Sequence, residues 1–87
     1  MWRVEFDRDA ARDFRKLATA AQRAILRFLR ERVATADDPR RLGKPLVGDL
    51  KGLWRYRIGD YRIVARIEDE RLIVLVVTVG HRREVYR

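Results

Sequence analysis

A chain of 87 residues with 47% hydrophobic content can bury one small core, so a single domain over residues 1–87 is expected. It has no cysteine and one histidine, which excludes disulfides and thiolate metal sites and would leave a zinc site resting on carboxylates, so neither metal nor cofactor is expected. The net charge of +8 points to nucleic acid, the ribosome, an anionic membrane or an acidic protein as partner. All but three of the 21 basic residues (Lys16, Lys44 and Lys51) are arginine, which suits bidentate phosphate contacts, although a GC-rich genome produces the same bias. No apolar run reaches the ~18 residues of a membrane span, and the N-terminus lacks a basic-then-apolar leader, so a cytoplasmic protein with no membrane partner is expected.

In chain order, Trp2-Arg3-Val4-Glu5-Phe6 alternates as a short strand does. Asp7 is placed to cap a helix over about residues 8–17, with Ala10, Ala11, Phe14 and Leu17 inward. Thr19-Ala20-Ala21-Gln22 matches a capping box, predicting a second helix from residue 20 to about Ala36. Its apolar stripe would be Ala21, Ile25, Phe28, Leu29 and Val33. Residues 37–52, with two prolines and three glycines, read as an irregular segment with room for a short strand near Leu46 to Leu50. Leu72 to Val79 is apolar on both faces, so this strand should be central in the sheet or covered by a partner. Glu68-Asp69-Glu70-Arg71 forms the turn before it, an acidic run expected to be solvated.

Between these lies the most informative stretch, Leu53 to Arg66. Apolar and basic residues alternate there, and Gly59-Asp60 fits a two-residue hairpin turn. That turn would set Ile58 opposite Tyr61, Arg57 opposite Arg62 and Arg55 opposite Val64. Trp54, Tyr56, Ile58, Tyr61, Ile63 and Ala65 would then share a core face, and Arg55, Arg57, Arg62 and Arg66 the other. Like charges directly opposite are unfavourable, so the pair calls for an anion, either a carboxylate or a phosphate. The last strand has two apolar rows, Ile73, Leu75, Val77 and Val79 against Leu72, Val74 and Val76, and one should lie on the arginine side. The predicted fold class is α+β, a small βααβββ domain with a two-helix hairpin on one face of a mostly antiparallel twisted sheet.

No phosphate-binding loop, dinucleotide fingerprint, catalytic triad or metal motif is present. The remaining arginines, histidine and tyrosines suit metal-free RNA cleavage, in which the ribose 2′-hydroxyl is the nucleophile. The protein must then help deprotonate it, stabilise charge on the phosphate and protonate the leaving 5′-oxygen. Arginine forks serve the phosphate well but cannot exchange protons near neutrality. Proton transfer would fall to His81 or Tyr86.

The segments Leu46 to Val64 and Val79 to Tyr86, with the N-terminal strand leading to Ala11-Arg12-Asp13-Phe14-Arg15-Lys16-Leu17, resemble the RelE branch of the RelE/ParE toxin superfamily over nearly the whole chain. The resemblance implies the toxin of a type II toxin–antitoxin pair, an mRNA interferase that enters the ribosomal A site and cuts the codon without metal. Its partners would be ribosome and mRNA, a RelB-like antitoxin with an acidic amphipathic segment (helical or extended), and operator DNA only through the toxin–antitoxin complex. Carried over by position, the basic residues of the hairpin's first strand are Arg55 and Arg57, the arginine of the Gly-x-Tyr-Arg motif is Arg62, the tail arginine is Arg82 and the terminal tyrosine is Tyr86.

On that basis Arg62, Arg82, Tyr86 and His81 are the candidate catalytic residues, and Arg55, Arg57 and Lys51 the candidate RNA-binding residues. Arg62, Arg82 and Tyr86 are expected on one concave basic surface. His81 precedes Arg82, so in an extended tail it would point away from that arginine, which ranks Tyr86 first for proton transfer. RelE toxins carry lysines where this chain has Arg55 and Arg57, so a lysine base is not available here. The alternative reading is a ParE-like toxin that inhibits DNA gyrase without RNA chemistry.

Overall fold

The computed structural model describes residues 1–81; the tail that holds Arg82 and Tyr86 lies outside the described residues. Strand β1 (Arg3–Phe6) leads into helices α1 (Arg8–Arg15) and α2 (Thr19–Phe28), followed by strands β2 (Lys44–Pro45), β3 (Trp54–Ile58), β4 (Tyr61–Glu68) and β5 (Ile73–His81). The five strands form one sheet in the order β1-β5-β4-β3-β2, antiparallel except for the β1–β5 pair. The parallel pair puts β5 between β1 and β4, which explains a strand apolar on both faces.

Local chemistry accounts for most element boundaries. The Asp7 carboxylate accepts the Ala10 N–H at 2.8 Å and starts α1. Helix α2 starts differently from the sequence expectation: Ala18 is its N-cap and no side chain caps it. Instead of closing a capping box, the Gln22 amide reaches back to the Leu17 carbonyl at 2.9 Å and so ties α2 to the end of α1. The helix continues as a π-turn over Leu29–Val33, closed by Ala34 N–H to Leu29 O, and stops short of Ala36.

The irregular segment also differs in detail. The short strand is Lys44–Pro45, paired with Arg55 and Trp54, while Gly48–Leu50 is a 3₁₀ turn rather than a strand. Close approach explains the pairing at this point. A Cβ on Gly43 would stand 2.9 Å from the Arg55 carbonyl and 3.2 Å from the Tyr56 ring. Only glycine lets the chain run this close to β3.

The helices cover one face of the sheet, where Ile25, Leu29 and Val33 meet Tyr56, Ile63, Ala65, Val74, Val76 and Val79. Tyr56 and Trp54 follow their expected side. Tyr56 is fully buried, and its hydroxyl donates to the Pro39 carbonyl at 2.9 Å. Burial, with a smaller push from the Asp38 carboxylate, raises its phenol to about 12.

The acidic turn is exposed, as its sequence suggests, but one of its carboxylates is engaged from outside it. Arg40, whose guanidinium also lies over the Trp54 ring at 5.8 Å, makes a bidentate pair with Asp69 at 3.0 and 2.7 Å. The pair fastens the 3₁₀ turn at Pro39–Leu42 to the β4–β5 turn, and holds the Asp69 carboxyl below the usual carboxylate range.

Candidate nucleic-acid interface

The hairpin forms on the register its alternation dictates. Gly59 takes φ +58°, and Ile58 pairs with Tyr61, Arg57 with Arg62, Tyr56 with Ile63 and Arg55 with Val64. Since the apolar members of this ladder enter the helix-side core, Arg55, Arg57, Arg62 and Arg66 share the opposite face.

Pairing across the sheet extends this face into rows. One runs Lys44, Arg55, Val64 and Thr78. The next runs Arg57, Arg62 and Gly80, and beyond it Arg66 stands beside Leu75 and Glu5. Lys44 and Thr78 are additions that sequence reasoning missed. Lys44 was hidden because β2 lies before the expected short strand.

Thr78 was hidden by a bulge. The β4–β5 register shifts between Val64 and Ala65: Val64 pairs with Thr78 but Ala65 with Val76, leaving Val77 as the extra residue. Strict alternation therefore fails in β5. Ile73, Leu75, Thr78 and Gly80 fall on the arginine side, while Val79 joins Val74 and Val76 in the core. The apolar row on the arginine side is thus only Ile73 and Leu75, adjoined by the buried Val64.

The carboxylates on this face, Glu5 and Glu68, pair with Arg3 and Arg71 and not with the arginine rows. Among the described residues, the ion pairs involve Arg3, Arg8, Arg12, Arg40, Arg41 and Arg71, and none involves Lys44, Lys51, Arg55, Arg57, Arg62 or Arg66. Arg57 spends one donor on the hairpin, from Nε to the Gly59 carbonyl at 3.4 Å. At Arg62 the Nε and one Nη are buried and meet no acceptor. Its neighbours in the row are a second guanidinium and Gly80, which contributes no side chain. An unsatisfied buried donor costs about 1–3 kcal/mol, and more when charged. A bound phosphate oxygen is an acceptor of the kind this site lacks.

The remaining candidates sit elsewhere. His81 pairs with Tyr61 and meets its ring edge-on at 5.9 Å between centroids, on the face opposite Arg62. Lys51 is exposed in the β2–β3 loop, off the sheet. Arg82 and Tyr86 fall outside the described residues. No group of three or more His, Asp or Glu side chains among the described residues could hold a metal ion, and no helix among them is long and apolar enough to cross a membrane.

Comparison with known proteins agrees with this architecture. A family model described as the ParE toxin of the type II toxin–antitoxin system matches residues 4–86. Toxin RelG of Mycobacterium tuberculosis is 37% identical over 84 residues, covering 97% of this chain and 94% of that protein. Toxin RelE of the same organism is 36% identical over 86 residues, covering 99% and 87%. The toxin–antitoxin complex RelBE2 of M. tuberculosis is similar in structure with a TM-score of 0.85 at 35% identity, over 95% of this chain and 93% of that one. The isolated E. coli RelE toxin has a TM-score of 0.73 at 23% identity, covers 93% and 84%, and shares the fold.

Proposed function

We propose, for a chain that belongs to the RelE/ParE superfamily of type II toxin–antitoxin toxins, a ribosome-dependent endoribonuclease that cuts mRNA in the A site by metal-free 2′-hydroxyl attack. The observation that carries this reading is the Arg57–Arg62 pair, set on a sheet face with no carboxylate partner among the described residues and with part of the Arg62 guanidinium buried and unpartnered. A diffuse basic surface would not need to bury a cation without an acceptor.

In the reaction, the 2′-oxygen attacks the adjacent phosphorus while its proton is withdrawn. The bond to the 5′-oxygen of the next nucleotide breaks, and that oxygen takes up a proton. The products are a 2′,3′-cyclic phosphate and a 5′-hydroxyl. Arg62, together with Arg82 of the tail, clamps the scissile phosphate and offsets the charge that grows on its oxygens. Arg55, Arg57 and Lys44 hold neighbouring phosphates, with Lys51 alongside. Tyr86, the terminal tyrosine of the family pattern, is assigned the proton transfer. His81 plays no part in that step, since it lies against Tyr61 across the sheet from Arg62.

The gyrase reading has one observation in its favour, the ParE description of the matching family model. The relatives named RelG and RelE, at 36–37% identity over nearly the full chain, favour the RNA reading. RelBE2 is a toxin–antitoxin complex, and an acidic antitoxin is proposed as the partner that keeps this chain silent in the cytoplasm. A cell-free translation reaction followed by primer extension on the message tests the class. Cuts that require the ribosome support it; an intact message with blocked supercoiling by gyrase overturns it.

A further inference from the structure

The bulge at Val77 changes which group β5 offers to the arginine face. Unbroken alternation from Ile73 and Leu75 would put the Val77 isopropyl group opposite Val64. The register shift puts Thr78 there instead, half-buried at the end of the row Lys44, Arg55, Val64 and Thr78. Thr78 is also the diagonal neighbour of Arg62, whose direct partner is Gly80, at a spacing of about 7–8 Å on the sheet. Bulges recur beside functional sites because they re-aim one side chain. Here the change puts a hydroxyl where an apolar group would stand.

The neighbours give that hydroxyl a role. Guanidinium and ammonium groups are donors only. Among the described residues, Thr78 carries the one side-chain oxygen in the two rows built by Lys44, Arg55, Arg57 and Arg62. The carboxylates of this face, Glu5 and Glu68, lie outside those rows and pair with Arg3 and Arg71. Thr78 Oγ1 makes no hydrogen bond to another described residue. Phosphates satisfy donors but are the same in RNA and DNA. The 2′-hydroxyl tells the two apart, and its proton needs an acceptor. We infer that Thr78 Oγ1 accepts a hydrogen bond from the 2′-hydroxyl of the message nucleotide next to the attacked one, which makes the arginine face selective for ribose. Row spacing sets the nucleotide. The Arg57–Arg62 row and the Arg55–Thr78 row are two strand residues apart, about 6.6–6.8 Å, which an extended nucleic-acid backbone covers in one nucleotide. With the attacked phosphate over Arg62, the neighbouring phosphate lies over Arg55 and Lys44, and its ribose beside Thr78. This contact rests on the RNA reading proposed above but takes no part in the chemical step.

The test measures affinity for ribosomes programmed with a message that is 2′-deoxy at the attacked position, so that no cut interferes. A second 2′-deoxy substitution is placed at each adjoining nucleotide in turn. At one of them it should weaken wild-type binding about five- to tenfold, the size of one neutral hydrogen bond. Thr78→Val keeps the branched shape and loses the hydroxyl. It should bind the ribose-containing message weaker by the same factor and lose nothing more on the second deoxy substitution. Thr78→Ser should restore the discrimination. A wild type indifferent to the sugar at every adjoining position overturns the inference. So does a Thr78→Val variant that discriminates as wild type does, even one that binds more weakly, because the hydroxyl would then serve only packing. An all-ribose message left intact, with the Thr78-dependent preference preserved, removes the nuclease reading and leaves the contact standing.

Discussion

Arg57 and Arg62 are direct cross-strand partners on β3 and β4, and neither forms an ion pair among the described residues. Two guanidiniums opposed in this manner repel, so the pair is costly in the free protein and rewarded only when an anion lies over it. Arg57→Ala should therefore weaken ribosome or RNA binding and lower the slope of log affinity against log salt by about one. Filter binding over a salt series checks this. Unchanged affinity and slope would mean that the pair has another counter-ion.

Arg62 leads to an expectation of opposite sign for stability and activity. Its Nε and one Nη are buried without acceptors. Arg62→Met keeps the aliphatic packing and removes that unsatisfied charge, so denaturant unfolding should show a gain of about 1–3 kcal/mol. Single-turnover cleavage should fall by roughly 10²-fold or more, the scale of losing one preorganised donor to a developing oxyanion. A variant that is both less stable and fully active would contradict the assignment.

Lys44 stands opposite Arg55 at the edge of the arginine face. Lys44→Ala should cut ribosome affinity several-fold and reduce the salt slope by about one, while the cleavage rate at saturating ribosome stays the same. An effect on rate alone would place Lys44 in the chemistry instead.

The two proton-transfer candidates, His81 and Tyr86, carry different expectations. His81 packs on Tyr61, on the core side of the sheet. His81→Ala should therefore leave single-turnover cleavage within a few-fold of wild type. Tyr86→Phe should lower it by roughly 10²-fold or more while binding holds, as expected for loss of a general acid or base. The reverse ranking of the two variants would return the role to His81.

Much of this was legible in the chain because turn chemistry and strand period agree. Gly59-Asp60 sets the hairpin register, and that register sorts Tyr56 into the core and Arg57 and Arg62 onto the other face. What escaped was non-local. The β5 bulge at Val77 follows from pairing with β4 and leaves no mark in an unbroken run of Val, Leu and Ile, so Val79 was grouped with Ile73 and Leu75 although it shares a face with Val74 and Val76, and Thr78 was not assigned. The β2 pairing depends on how closely Gly43 approaches Arg55 and Tyr56, which spacing cannot reveal. Gln22 looked like a capping residue, but the end of α1 lay near enough to claim its amide.

Tyr56 predicts an alkaline limit to stability. Burial raises its phenol from 10.0 to about 12 because the folded state favours the neutral form. The associated stability is intact below pH 10 and is lost as the pH climbs from about 10 towards 12, on the order of 2–3 kcal/mol. Tyr56→Phe gives up the bond to Pro39, costing about 0.5–1.5 kcal/mol at pH 7. In return its unfolding free energy should change less than wild type's between pH 9 and 11. Parallel pH profiles for the two proteins would show that Tyr56 is not the titrating group.

The central claim is that the arginine face serves cleavage by the message's own 2′-hydroxyl. The most direct measurement is single-turnover cleavage on ribosomes programmed with an all-ribose message and with one carrying a single 2′-deoxy nucleotide at the cut position. The account predicts that the deoxy message stays intact at that position, is bound as tightly, and is cut nowhere else in the codon by a compensating route. Cleavage of the deoxy message at the wild-type rate would contradict it, because the nucleophile would then have to come from water or from the protein.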